Sequence, residues 1–189
     1  MTLYSLVLFL HIGGALGLFV ALGLEWTSLS FLRRAATGEQ VREWLSVLGL
    51  TRRLGPIALV LILLPGFYMM ATTWGGAAWI LVALAAVVVI AILGATLTGA
   101  RMGRIGRAAG TASGPISPEL RNRLHDPVLR ISVQTRGAML FGIVFLMTIK
   151  PDLVGSLIVI GIALILGLAS ALPAWRRDRP HDEAALSRS

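Results

Sequence analysis

Two ionisable residues, His11 and Glu25, stand inside the first long apolar run of this chain. Such groups are expensive in an apolar span and usually face a bundle interior or a cavity. They are 14 residues apart. At about 100° per residue this is about 40° short of four turns, so both lie on one face of a straight helix, roughly 21 Å apart along its axis. Gly14, Ala15 and Ala21 share that face, and small residues let neighbouring helices approach closely.

An intramembrane imidazole can ligate haem iron or a metal, or carry a proton. The plainer reading of His11 is a neutral ring bonded to a backbone carbonyl or to a Ser or Thr of another span. A second axial ligand is scarce. His125 and His181 fall at the other end of the spans, whereas Met69, Met70 and Met147 approach the same end as His11. Each of these methionines also reads as ordinary packing. A centre with two histidines would draw His11 from a second copy of the chain. Glu25 has four prospective cationic partners: Arg52, Arg53, Arg130 and Arg136. An ion pair there locks the bundle. Alternatively Glu25 and Gln134, four residues after Arg130, line a polar cavity open to the cytoplasm.

The elements that position these residues are apolar runs of spanning length. About 20 apolar residues cross the hydrocarbon of a bilayer as a helix. The expected fold is an all-α transmembrane bundle in one domain, residues 1–175, with spans at about 3–32, 54–72, 77–100, 128–149 and 153–175. A charged tail, 176–189, follows. Thr37 and Gln40 have the spacing of a capping box, and Val41, Trp44, Leu45 and Leu48 follow on one face of a short surface helix. Gly55–Pro56 marks the expected start of span two, and Pro65 inside it frees a carbonyl and kinks the helix. Residues 109–118 read as a flexible loop, with Ser117–Pro118–Glu119 opening a short helix to about His125.

Of the 17 basic residues only Lys150 falls outside the connections one-to-two and three-to-four, their flanks and the tail. The positive-inside rule makes that Arg-rich side cytoplasmic, with the N-terminus outside, and this requires an odd number of crossings. The composition agrees, at 56% hydrophobic and 14% charged, against about one quarter charged in soluble domains. The net charge of +8 is therefore assigned to membrane-flanking loops, and no nucleic-acid partner is expected. With no cysteine, thiolate metal sites and disulfides are excluded. There is no GxxxxGK[ST], no HExxH and no Ser-His-Asp set. GATLTG, Gly94 to Gly99, reads as a packing stripe.

The segments LHIGGALGLF, RRLGPIALVLILLPGFYMM and RGAMLFGIVFLMTIKP resemble predicted bacterial integral membrane proteins related to copper-resistance protein D and to the HemJ-type protoporphyrinogen oxidase. The resemblance implies a small bundle in the bacterial cytoplasmic (inner) membrane in which His11 ligates haem b. The oxidase has an important Lys in its third span. Here that neighbourhood is Trp79, Ile80, Leu81 and Val82, with no Lys in the span. The fifth span also exceeds the oxidase's four-helix pattern, so the oxidase reaction is not carried over. Three functions are weighed: a haem or metal protein, a homo-oligomer among its forms; a small transporter using Pro65, Glu25 and the polar start of span four; and an accessory subunit of a larger membrane complex.

Overall fold

A computed structural model of the chain describes residues 2–110 and 114–170, and every regular element among them is helical. Helix α1 is Leu3–Leu32 and α2 is Gly38–Met69. Helices α3 (Ala78–Leu93) and α4 (Ala100–Gly110) follow, then α5 (Pro118–Leu124), α6 (Pro127–Ile149) and α7 (Leu153–Ala169). Two π-helical turns, Met70–Trp74 and Gly94–Gly99, extend α2 and join α3 to α4.

Among the described residues four helical stretches are long and apolar enough to cross a membrane: Leu3–Leu32, Gly38–Trp74, Ala78–Gly110 and Pro118–Ile149, the last made of α5 and α6 together. The fifth apolar helix, α7, is shorter. The expected end of span five at Trp175 and the tail 176–189 lie outside the described residues. The outer faces are apolar: Leu16, Leu64, Phe141 and Ile165 are each more than 60% exposed. A soluble bundle would bury such side chains, so this is the surface of a multi-pass membrane protein.

Several boundaries differ from those read in the sequence. Thr37 does cap α2, accepting from the Gln40 amide at 3.4 Å. The Gln40 side chain reaches back to the amide of Ala36 at 2.8 Å, one residue before the cap. The surface helix and span two are then a single helix, running through Gly55 and Pro56 without a break. Pro56 lies on an exposed face. There, water or headgroups can satisfy the carbonyl of the exposed Arg52, so the missing amide does not force a break. Span three likewise continues to Gly110, taking Ala109 out of the expected loop. Gly114 to Ile116 are held against the α1–α2 turn by Gly38 N–H to the Gly114 carbonyl, 2.9 Å, and Ile116 N–H to the Ala36 carbonyl, 3.1 Å. Ser117 caps α5 as its type predicts, accepting from Leu120 at 3.2 Å.

Packing follows the small residues. The most extensive helix contact is α1 with α2, and Gly14 lies at its closest approach. A Cβ on Gly14 would stand 2.8 Å from the Leu61 carbonyl carbon and 2.9 Å from the Ala58 oxygen, both backbone atoms. Helix α7 packs on α6, and α6 also contacts α1 and α3. Two cores result. Leu22, Ala83, Val87, Met139, Ile143 and Leu146 fill the bundle centre. Leu32, Val41, Leu48, Ile105, Ala109, Leu120 and Leu129 join the Arg-rich ends of the helices into a cap.

Candidate functional site

The two ionisable residues of α1 serve different places. Toward the N-terminal end, His11 points across to α2, where its Nδ1 lies 2.8 Å from the carbonyl oxygen of Ile62. This carbonyl belongs to the turn that Pro65 disturbs. A carbonyl only accepts, so Nδ1 carries the proton. In the neutral ring Nε2 then keeps its lone pair, the tautomer found when a second group orients a metal-binding histidine. The same bond is also what a purely structural buried His makes, so this bond alone does not assign a function. Gly66 lies flat against the ring: a Cβ there would stand 3.4 Å from His11 Cε1.

His11 lines a cavity of about 330 Å³, and Met69, Met70 and Met147 line it too. The three methionines named from the sequence thus line the same cavity as His11. Trp74, Trp79 and Lys150 also line it. The Lys150 ammonium sits 4.1 Å from the Trp74 ring centroid, and Trp74 meets Trp79 edge-on at 5.7 Å. Lys150 adopts the left-handed conformation, φ 54°, at the C-cap of α6. That turn brings the only described cation of this end back over Trp74.

Deeper toward the Arg-rich end, Glu25 is matched by Arg136 of α6. Arg136 Nη1 donates to Glu25 Oε2 at 3.1 Å, and Nη2 donates to Oε1. Both residues are buried. Nη2 also donates to Thr98 Oγ1 at 3.0 Å, Nε to the Ser132 carbonyl at 3.2 Å, and the Thr98 and Ser132 hydroxyls meet at 3.1 Å. A buried pair offsets its desolvation only when geometry is good and the remaining donors find partners; here the geometry is bidentate and four of the five guanidinium N–H groups are paired. The π-turn Gly94–Gly99 places Thr98, and Gly94 leaves room for the guanidinium, since a Cβ there would stand 3.0 Å from Nη1.

Arg52, Arg53 and Arg130 are exposed and do not join Glu25. Gln134 is half-buried, and its Oε1 has no partner among the described residues, as is true of Ser28 Oγ and Thr135 Oγ1. Thr98, Ser132 and Gly94 were not singled out from the sequence as site residues; the GATLTG stripe was the only signal of two of them. Among the described residues no group of three His, Cys, Asp or Glu side chains gathers in metal-binding fashion. His125 lies at the C-cap of α5 at the Arg-rich end, and His181 is outside the described residues. No protein family, curated protein or solved structure matches this chain.

Proposed function

We propose that this chain is a five-span protein of the bacterial cytoplasmic membrane, N-terminus outside, that holds a metal centre at His11, either haem b or a bare soft ion. One observation carries the reading: His11, its Nδ1 pinned to the Ile62 carbonyl, shares a cavity with Met69, Met70 and Met147. Imidazole nitrogen with thioether sulfur is a donor set for haem iron or for a soft monovalent ion. The cavity volume lies at the low end of small-molecule sites. That suits a bare ion fully and a haem only with part of its ring toward lipid. In either case Nε2 of His11 is the first ligand, with Met69 or Met147 the second. Lys150 is then placed to meet an anionic substituent. With a methionine in the same cavity, no second copy is needed to complete the ligand set.

Absorption spectroscopy and metal analysis of the purified protein test this. A Soret band, or a bound metal near one per chain, that His11→Gln removes and Met147→Leu alters is the expected result. A colourless, metal-free protein that binds neither haem nor Cu(I) on addition would end the proposal.

A transport reading has one observation in its favour. The buried oxygens of Ser28, Gln134 and Thr135, without a partner among the described residues, are the kind of group that internal water satisfies. Flux into proteoliposomes that Gln134→Leu abolishes would support it.

A further inference from the structure

Where the end of α1 meets the α5–α6 turn, a groove of about 600 Å³ opens at the Arg-rich end of the bundle. Arg33, Arg34, Arg130 and His125 line it, and Trp26 and Phe31 form part of its apolar wall. No carboxylate lines it among the described residues. The nearby acids are engaged elsewhere, Asp126 with Arg101 at 2.8 Å and Glu119 with Arg123 at 2.6 Å. The side chains of Arg34 and Arg130, both exposed residues, make no hydrogen bond or ion pair among the described residues. Arg33 ties the wall together by donating Nη2 to the His125 carbonyl at 3.0 Å.

The level of the groove along α1 identifies what it meets. From Leu3 to Trp26 the helix rises roughly 35 Å, more than the roughly 30 Å of hydrocarbon in a bilayer. Trp26 therefore lies at the depth of the headgroups, and Arg33 and Arg34 lie about two turns beyond it. Trp26 is 55% exposed and Phe31 43%. Phe31 is held in place by stacking on Trp44, ring centroids 4.2 Å apart. An apolar wall facing the acyl region, with the guanidiniums of Arg34 and Arg130 above it, matches an amphiphile whose phosphate is close to its chains. A choline or ethanolamine headgroup would bring its own cation into a site whose described lining holds arginines and no carboxylate. A headgroup of net negative charge would not.

We propose that this groove binds one anionic glycerophospholipid, its phosphate held by Arg34 and Arg130 and an acyl chain lying against Trp26 and Phe31. Guanidinium is the side chain best suited to a phosphate at short range, since its fork donates two hydrogen bonds at once.

Native mass spectrometry of the delipidated full-length protein, titrated with phosphatidylglycerol, tests this. One phosphatidylglycerol should bind tightly to the wild type, and phosphatidylcholine should not take its place. The double variant Arg34→Gln/Arg130→Gln should bind it about 30-fold more weakly, from about one charge's worth of surface attraction per Arg. The control Arg104→Gln/Arg107→Gln, which removes two exposed charges from the same end, should bind as wild type. Equal binding of the two lipids, or equal weakening in both double variants, overturns the site. Displacement of the lipid by millimolar inorganic phosphate overturns the lipid as occupant in favour of a soluble phosphate compound. If the groove variant aggregates, the comparison of the two lipids and of phosphate on the wild type still decides the question.

Discussion

Arg136 of α6 and Glu25 of α1 face each other through two N–H···O bonds, 111 residues apart in sequence and buried within the bundle. The pair ties the first helix to the sixth, and Thr98 extends the tie to the turn between α3 and α4. Removing one partner leaves the other charge buried alone, which costs about 3–5 kcal/mol. Glu25→Gln and Arg136→Gln should each lower the thermal midpoint in detergent sharply. The combined variant should cost less than the two single losses together. Single variants that melt with the wild type would show that the charges are not sequestered.

The hydroxyl of Thr98 accepts from Arg136 and meets Ser132. Thr98→Val keeps the volume and removes the acceptor. It should destabilise by about 1.5–3 kcal/mol, the range for hydrogen bonds to charged groups. In a melting experiment Thr96→Val, on the same turn but exposed, should have little effect.

Gly13 and Gly14 are adjacent and behave oppositely. Nothing lies within 4 Å of a Cβ at Gly13, whereas one at Gly14 collides with the backbone of α2. Gly13→Ala should be neutral or stabilise by up to about 1 kcal/mol through helix propensity. Gly14→Ala should destabilise by about 1–3 kcal/mol as α1 and α2 are pushed apart. Because His11 crosses to Ile62 one turn away, Gly14→Ala should also disturb whatever binds at His11. Equal melting of the two variants would refute the close approach.

Lys150 pairs a left-handed backbone with a cation over Trp74. Lys150→Gly relieves the backbone and loses the cation, while Lys150→Ala only loses it. The Gly variant should therefore be the more stable of the two by about 1 kcal/mol. Both should shift tryptophan emission, since each uncovers the ring. An Ala variant as stable as the Gly variant would contradict the turn geometry.

What the sequence makes legible here is local. The shared face of His11 and Glu25 follows from helical periodicity, and the caps at Thr37 and Ser117 follow from side chains that satisfy orphan amides. The choice of Arg136 over Arg52, Arg53 and Arg130 depends on how α6 rotates against α1, which no local pattern contains. Gly55–Pro56 reads as a helix start because a proline in a first turn and one on an exposed interior face look alike in sequence. Thr98 and Ser132 are small polar residues of a kind common in apolar helices, and only the arrival of Arg136 gives them a role. That Met69, Met70 and Met147 share a cavity with His11 was anticipated only as proximity to one end of the bundle.

The unbroken α2 links the two ends of the molecule. Its first turn is anchored to Gly114 beneath the Arg-rich cap, and its last residue, Met69, forms part of the wall beside His11. At about 1.5 Å per residue its 32 residues make a rod of about 48 Å. A rod carries a tilt from one end to the other, and prolines are where such a rod gives way. Pro56 lies exposed, but Pro65 is buried one turn from the His11–Ile62 bond. The tilt of α2 set at the cap is therefore also the tilt of the turn that carries the imidazole's own hydrogen-bond acceptor.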